Sequence, residues 1–110
     1  MVTQTARQAA QEYGDAQMAR RLESLRLLPF AELIALPAFT TATSKIRDRR
    51  VDVTTYRDVL PDGKLRIVVQ VFVQGLWFGL GFRWVTAQGF VVGHEGSVTA
   101  IPQDELYEFI

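Results

Sequence analysis

His94-Glu95-Gly96-Ser97 holds the three side-chain types of a nucleophilic triad within four positions. A working triad needs a base that reaches the nucleophile and a third group that orients the base. Sequence neighbours do not converge in that geometry. The second histidine of a His-Glu-x-x-His zinc helix is missing as well, so a plain hairpin turn is expected here. Asp52, Asp58 and Asp62 lie near one another. General acid–base work needs carboxylates forced into a shared, water-excluded site. Asp62 is explained by its turn and Asp58 by Arg66, so no catalytic residue is assigned. Lys45-Ile46-Arg47-Asp48-Arg49-Arg50 carries four positive charges and one negative. Phosphate contacts supply most non-specific nucleic-acid affinity, but the chain shows no nucleic-acid motif. A solvated connector is expected. With one histidine and no cysteine, neither a metal nor a cofactor is expected.

A sheet must position these residues. From residue 51 the apolar period is two. Pro61-Asp62-Gly63 is a tight-turn sequence, with proline fixing φ and glycine supplying φ > 0. Gln74-Gly75 reads as a two-residue hairpin turn of the primed type. That turn sets Val73 opposite Leu76, Val71 opposite Phe78, Val69 opposite Leu80, Ile67 opposite Phe82 and Leu65 opposite Trp84. Every pair is apolar, so this is the core face, and the helices are expected to cover it. On the opposite face the same register sets Phe72 against Trp77, Gln70 against Gly79, Val68 against Gly81 and Arg66 against Arg83. A three-residue loop at 61–63 brings Asp58 beside Arg66, Tyr56 beside Val68 and Asp52 beside Phe72. The polar row is then Asp58, Arg66 and Arg83. A bulge at Gly63 would shift these neighbours.

The second face is the sharpest functional feature: Tyr56, Phe72, Trp77, Gly79, Gly81 and Arg83, with Val68, Val85 and Val92 as further members. Strand glycines mark a bend or the close approach of a ligand or another backbone. Aromatic side chains cost about 25 cal/mol per Å² to leave in water. Three explanations stand open. The helices pack here and leave the other face to a partner; a second chain packs here, as aromatics with arginine suit an interface centre; or the sheet curls round a small molecule, with Trp77 as wall and Arg83 as anion contact. The N-terminal arm is the intramolecular candidate to cover a spare face.

Residues 3–28 read as helix with a break at Gly14-Asp15, where Asp15 caps a helix over 16–27. Met18, Leu22, Leu25 and Leu28 form its stripe. Residues 1–14 are read as a loosely held helical arm. Pro29 opens a short second helix with Phe30, Leu33, Ile34 and Leu36 as its apolar face, and Pro37 closes it. Residues 38–50 read as a threonine-rich connector. Gln88-Gly89 reads as a third turn. Glu95-Gly96 either turns again, making 98–101 a fifth strand, or interrupts one long strand. Pro102 opens a last short helix, with Asp104 and Glu105 where the helix dipole favours negative charge.

The 110 residues fit one domain, 1–110. Twelve basic and twelve acidic residues give zero formal net charge, which opposes binding to nucleic acid through bulk charge. Residues 67–85 approach the apolarity of a membrane span, but they alternate as a strand does, so no membrane partner is expected. Residues 1–20 lack a secretory-signal pattern, and a soluble, cytoplasmic protein is expected. The fold expected is α+β: two N-terminal helices packed on a four- to five-stranded antiparallel meander, with a short C-terminal helix. This layout resembles the cystatin-type and nuclear-transport-factor-like arrangements of helix against curved sheet, in architecture and not in any diagnostic residue. The function expected is a non-catalytic protein–protein interaction module, a homodimer self-associating through its apolar, aromatic sheet face. The alternative is a small-ligand or pocket-type domain around Trp77 and Arg83.

Overall fold

The computed structural model describes the backbone of residues 5–77 and 80–110, and the side chains of these residues except 76, 77 and 80–82. The fold is α+β. A long helix, α1 (Ala6–Arg26), and a five-residue helix, α2 (Phe30–Ile34), precede five antiparallel strands. These are β1 (Phe39–Ile46), β2 (Arg49–Val59), β3 (Leu65–Trp77), β4 (Leu80–Val92) and β5 (Val98–Ala100). They lie in sheet order β1-β2-β3-β4-β5. A short helix, α3 (Gln103–Leu106), and a 3₁₀ turn (Tyr107–Phe109) follow.

Gly14 does not break the helix. Thr5 and Gln8 form a reciprocal capping box that starts α1, and the helix runs through Gly14 to Arg26. Its buried stripe is Ala10, Gly14, Met18, Leu22 and Leu25. The small residues at its first half let the helix lie close to the sheet. A Cβ on Gly14 would stand 2.5 Å from Val71 Cγ1. Close approach, not a bend, is what this glycine serves. Tyr13 and Arg21 tie the helix down, through a 3.0 Å bond between the Tyr13 and Ser44 hydroxyls and a 3.1 Å donation from Arg21 Nε to Thr55 Oγ1.

The helices cover the face expected to be core. Leu65, Ile67, Val69, Val71 and Val73 are fully buried beneath α1, with Val51, Phe90 and Val92 beside them. Val92, expected on the second face, therefore belongs to the core. The β2–β3 register is as expected from the 61–63 loop: Asp58 pairs with Arg66, Tyr56 with Val68 and Asp52 with Phe72. Gly63 takes φ 85° and Asp62 Oδ1 accepts from the Lys64 amide.

Three turn and connector expectations are corrected. Residues 39–46 are not a connector but an edge strand, whose run of Thr40, Thr41 and Thr43 suits a pleated surface. The turn to β2 uses Arg47 and Asp48, both at positive φ (46° and 69°). Gln74-Gly75 is not a turn. Gln74 pairs with both Arg50 and Arg83, so β3 runs on to Trp77. The Arg49 side chain crosses Gly75 and buries it: a Cβ there would meet Arg49 Nη1. Gln88-Gly89 likewise lies within β4. The longer ladder brings Phe90 opposite Ile67 and Val92 opposite Leu65, filling the core from one continuous strand. Val73 moves from a partner at Leu76 to one at Trp84, eight residues on. An even displacement keeps residues 65–73 and 83–85 on the faces expected of them, which is why the core face survives the wrong turn, whereas Leu76 and Trp77, now in β3, exchange registers.

Candidate functional site

The pairing arranges the second face as rows across the strands. Asp58, Arg66, Val91 and Thr99 form the first, and Phe39, Tyr56, Val68 and Gly89 the second. Thr41, Thr54, Gln70 and Ala87 form the third; Thr43, Asp52, Phe72 and Val85 the fourth; Lys45, Arg50, Gln74 and Arg83 the fifth. Of the expected site residues, Tyr56 and Phe72 lie here as anticipated. Arg83 stands in the fifth row beside Gln74, so it is neither opposite Arg66 nor part of a row with Asp58. Trp77 lies five residues from Phe72 on the same strand and pairs with Leu80, so the two are not cross-strand neighbours, and Trp77 falls in the register of Val73 and not, as expected, in that of the second face. Gly81 pairs with Leu76. Gly79 lies outside the described residues.

The chain's own C-terminal segment covers the first two rows. Neither the N-terminal helix nor a partner is needed there. Ile101 is buried over Gly89, where a Cβ would stand 2.9 Å from Ile101 Cδ1 and closer still to the Ile67 carbonyl oxygen. Close approach by a second segment, the role expected of strand glycines at 79 and 81, is seen at Gly89. The Phe109 ring packs 5.2 Å from the Tyr56 ring, and its carbonyl accepts from Gln70 Nε2. Arg66 donates to Asp58 at 2.9 Å, reaches Glu105 at 3.8 Å and lies 5.4 Å over the Phe109 ring. Beneath this cover Val68 is 0 % exposed.

The cover stops short of the fourth row. There an open groove of about 490 Å³ is lined by Gln70, Phe72, Arg83, Val85, Glu108, Phe109 and Ile110. Phe72, Val85, Phe109 and Ile110 contribute apolar surface to it, and Gln70, Arg83 and Glu108 contribute polar surface. A second open groove, about 670 Å³, lies at the β1–β2 hairpin between Thr43, Lys45, Asp48, Arg50 and Gln74.

The remaining chemical candidates resolve into local structure. Ser97 Oγ donates to Glu95 Oε1 at 2.9 Å, and the His94 ring lies against Phe30 at 4.2 Å. The hydroxyl proton is therefore directed to the carboxylate, and the imidazole is packed elsewhere. Hydrogen bonds from its own backbone amide and from Ser97 hold the Glu95 carboxyl below its usual range. Asp52 takes Arg50 at 3.2 Å and the Thr43 hydroxyl at 2.7 Å. Asp58 takes Arg66. Six residues of strand put these two carboxylates about 20 Å apart. Among the described residues no group of three or more His, Asp or Glu side chains stands together as a metal site, and no helix is long and apolar enough to cross a membrane. Comparison of the chain with protein-family models, with characterised proteins and with solved structures found no match.

Proposed function

We propose that the chain is a non-catalytic interaction module that self-associates through the part of its second sheet face left open by the C-terminal segment. The groove of the fourth row carries this reading. Phe72, Val85, Phe109 and Ile110 give its lining apolar surface, and Arg83 and Glu108 bring opposite charges to the same groove. A two-fold interface brings the same patch of each copy together, so residue i meets j and j meets i. A patch holding both charges is complementary to itself under that symmetry. The surroundings support burial as well. Phe39, Tyr107 and Ile110 are 64, 62 and 55 % exposed, and each belongs to this face or to the segment lying on it. Exposed apolar surface of this kind supports an interaction site.

The test is absolute mass by light scattering across a hundredfold concentration range. The native chain is expected at dimer mass. Arg83→Glu and Glu108→Arg, each alone, are expected to run as monomers, because each sets like charges against each other twice. Mixed together they are expected to pair, since every cross-copy contact is then opposite in sign. A contact within one chain cannot produce that rescue. A native chain that stays monomeric throughout refutes the reading. If that monomer instead gains thermal stability from a small organic anion, and loses the gain on Arg83→Glu, the groove is a ligand site.

A further inference from the structure

We propose that the outer edge of β1 takes an added antiparallel strand: an extended peptide of another protein, with an acid opposite Lys45 and an apolar residue opposite Phe39. The Arg57 N–H donates to the Ala38 carbonyl at 2.9 Å. This bond fixes the phase of the β1–β2 ladder, because hydrogen-bonded and non-bonded pairs alternate along antiparallel strands. The register runs unbroken from Phe39–Tyr56 to Ile46–Arg49. Residues 40, 42, 44 and 46 therefore bond to β2, and Phe39, Thr41, Thr43 and Lys45 do not. The N–H and C=O groups of these four point off the sheet. β1 is the edge strand, and among the described residues no strand pairs with its outer side. It contains neither a proline nor a bulge, two of the devices that close an edge to a further strand. Alternating donors and acceptors thus line the edge without a break, which is what strand addition recognises.

Side chains select the guest. Phe39, Thr41, Thr43 and Lys45 all lie on the second face, and each flanks one residue of an added strand. Lys45 stands opposite Arg50 in a non-bonded pair, where side chains lie closest. Arg50 is engaged by Asp52 at 3.2 Å and by Gln74 at 2.6 Å. Lys45 has no acidic partner among the described residues; Asp48 lines the same groove without an ion pair to it. Like charges directly opposite destabilise a sheet, and a guest acid beside Lys45 relieves that repulsion. At the other end Phe39 is 64 % exposed, and an apolar guest residue covers it. An antiparallel guest therefore carries its acid first and its apolar residue six positions later. A second copy of β1 does not meet this demand. Pairing all four residues would set Phe39 of each copy opposite Lys45 of the other, and β1 contains no acid to offer. None of these residues lines the groove proposed for self-association.

The test is an amide-exchange and chemical-shift titration of the isotope-labelled chain. The probe is a terminally blocked peptide of seven residues, a leading glutamate followed by alternating threonine and valine. Protection is expected at the amides of Phe39, Thr41, Thr43 and Lys45. Lysine in place of the leading glutamate is expected to weaken binding about fivefold, and Lys45→Glu to reverse that preference. N-methylation of the third or fifth peptide residue, whose N–H faces β1, is expected to abolish binding. N-methylation of the fourth, whose N–H faces away, is expected to leave it. Thr43→Pro removes an outward N–H and no bond to β2, and is expected to abolish binding; the methylated peptides decide should that variant fail to fold. The proposal is overturned if the peptide leaves the four amides unprotected, if the glutamate and lysine peptides bind alike, or if methylation at the fourth and fifth positions has the same effect. Protection of these amides in the chain alone, growing with its concentration, overturns it in favour of a second copy on the edge.

Discussion

Two residues decide more of this structure than their types suggest. Gly14 sits in a helix interior, where alanine is favoured by about 1 kcal/mol. Its missing Cβ is also what admits Val71, at 2.5 Å from where a methyl would stand. Val71 is fully buried on the sheet's central strand and cannot swing aside. Overpacking a core in this way costs about 1–3 kcal/mol. The steric effect therefore outweighs the propensity gain, and Gly14→Ala is expected to lower the urea midpoint of unfolding with an unchanged slope. A raised midpoint would show that α1 can lift off the sheet without penalty. Arg66 is the second case. It joins Asp58, Glu105 and Phe109 and is mostly buried, at 18 % side-chain exposure. A hydrogen bond to a charged group contributes about 1.5–3 kcal/mol, with the half-exposed acids screened toward the lower end. Arg66→Ala is expected to cost about 1–2 kcal/mol. More tellingly, amide exchange should speed up over residues 101–110 before it does in α1. Uniform acceleration would mean the arginine supports the whole fold and not the C-terminal cover.

At the scale of elements, the two edges of the sheet behave differently. β5 is three residues long and protects only the last three positions of β4. β1 is eight residues, almost wholly exposed, and offers an unpaired edge of the kind that templates strand addition. Lys45 is its one charge. Its turn is costly. Arg47 and Asp48 both occupy the left-handed region, which disfavours side chains other than Gly, Asn and Asp by about 1–2 kcal/mol. Two-residue turns of this geometry favour Asn-Gly. Arg47→Asn/Asp48→Gly is expected to stabilise the chain by about 1 kcal/mol, read as a higher melting temperature. A fall would show that side-chain contacts of the turn, not its backbone, hold the β1–β2 hairpin.

The whole molecule is elongated. Its radius of gyration is 15.6 Å, where a chain of this length is expected near about 13 Å. The ladder of β3 and β4, 13 residues each, reaches beyond the end of β2 and produces this shape. A narrow body has little interior, and it covers its sheet on one face with α1 and on half the other with residues 101–110. The open remainder holds the self-complementary groove. Its charges are exposed, so self-association is expected to weaken as salt rises, and to weaken further in Phe72→Ala, which removes apolar lining. An association indifferent to both would place the contact on the β1 edge.

The sequence by itself determined the alternation of β2 and β3, the loop at 61–63, the Asp58–Arg66 pair and which residues of 65–73 share a face, while which of the two faces the helices cover was decided by the tertiary structure. Each rests on period two or on local turn chemistry, and both act between near neighbours. It did not reveal that 39–46 form a strand, because an edge strand buries nothing and leaves no apolar pattern. It misplaced turns at Gln74-Gly75 and Gln88-Gly89, because a glycine that bends the chain and one that yields to an approaching side chain look alike in sequence. Here Arg49 crosses the first, and Ile101 lies over the second. The same ambiguity held at Gly14. Tertiary structure alone decided these three, and with them the composition of the site. Pairing partners at a distance of many residues set where Arg83 stands, and the return of the C-terminal segment set which part of the second face stays open.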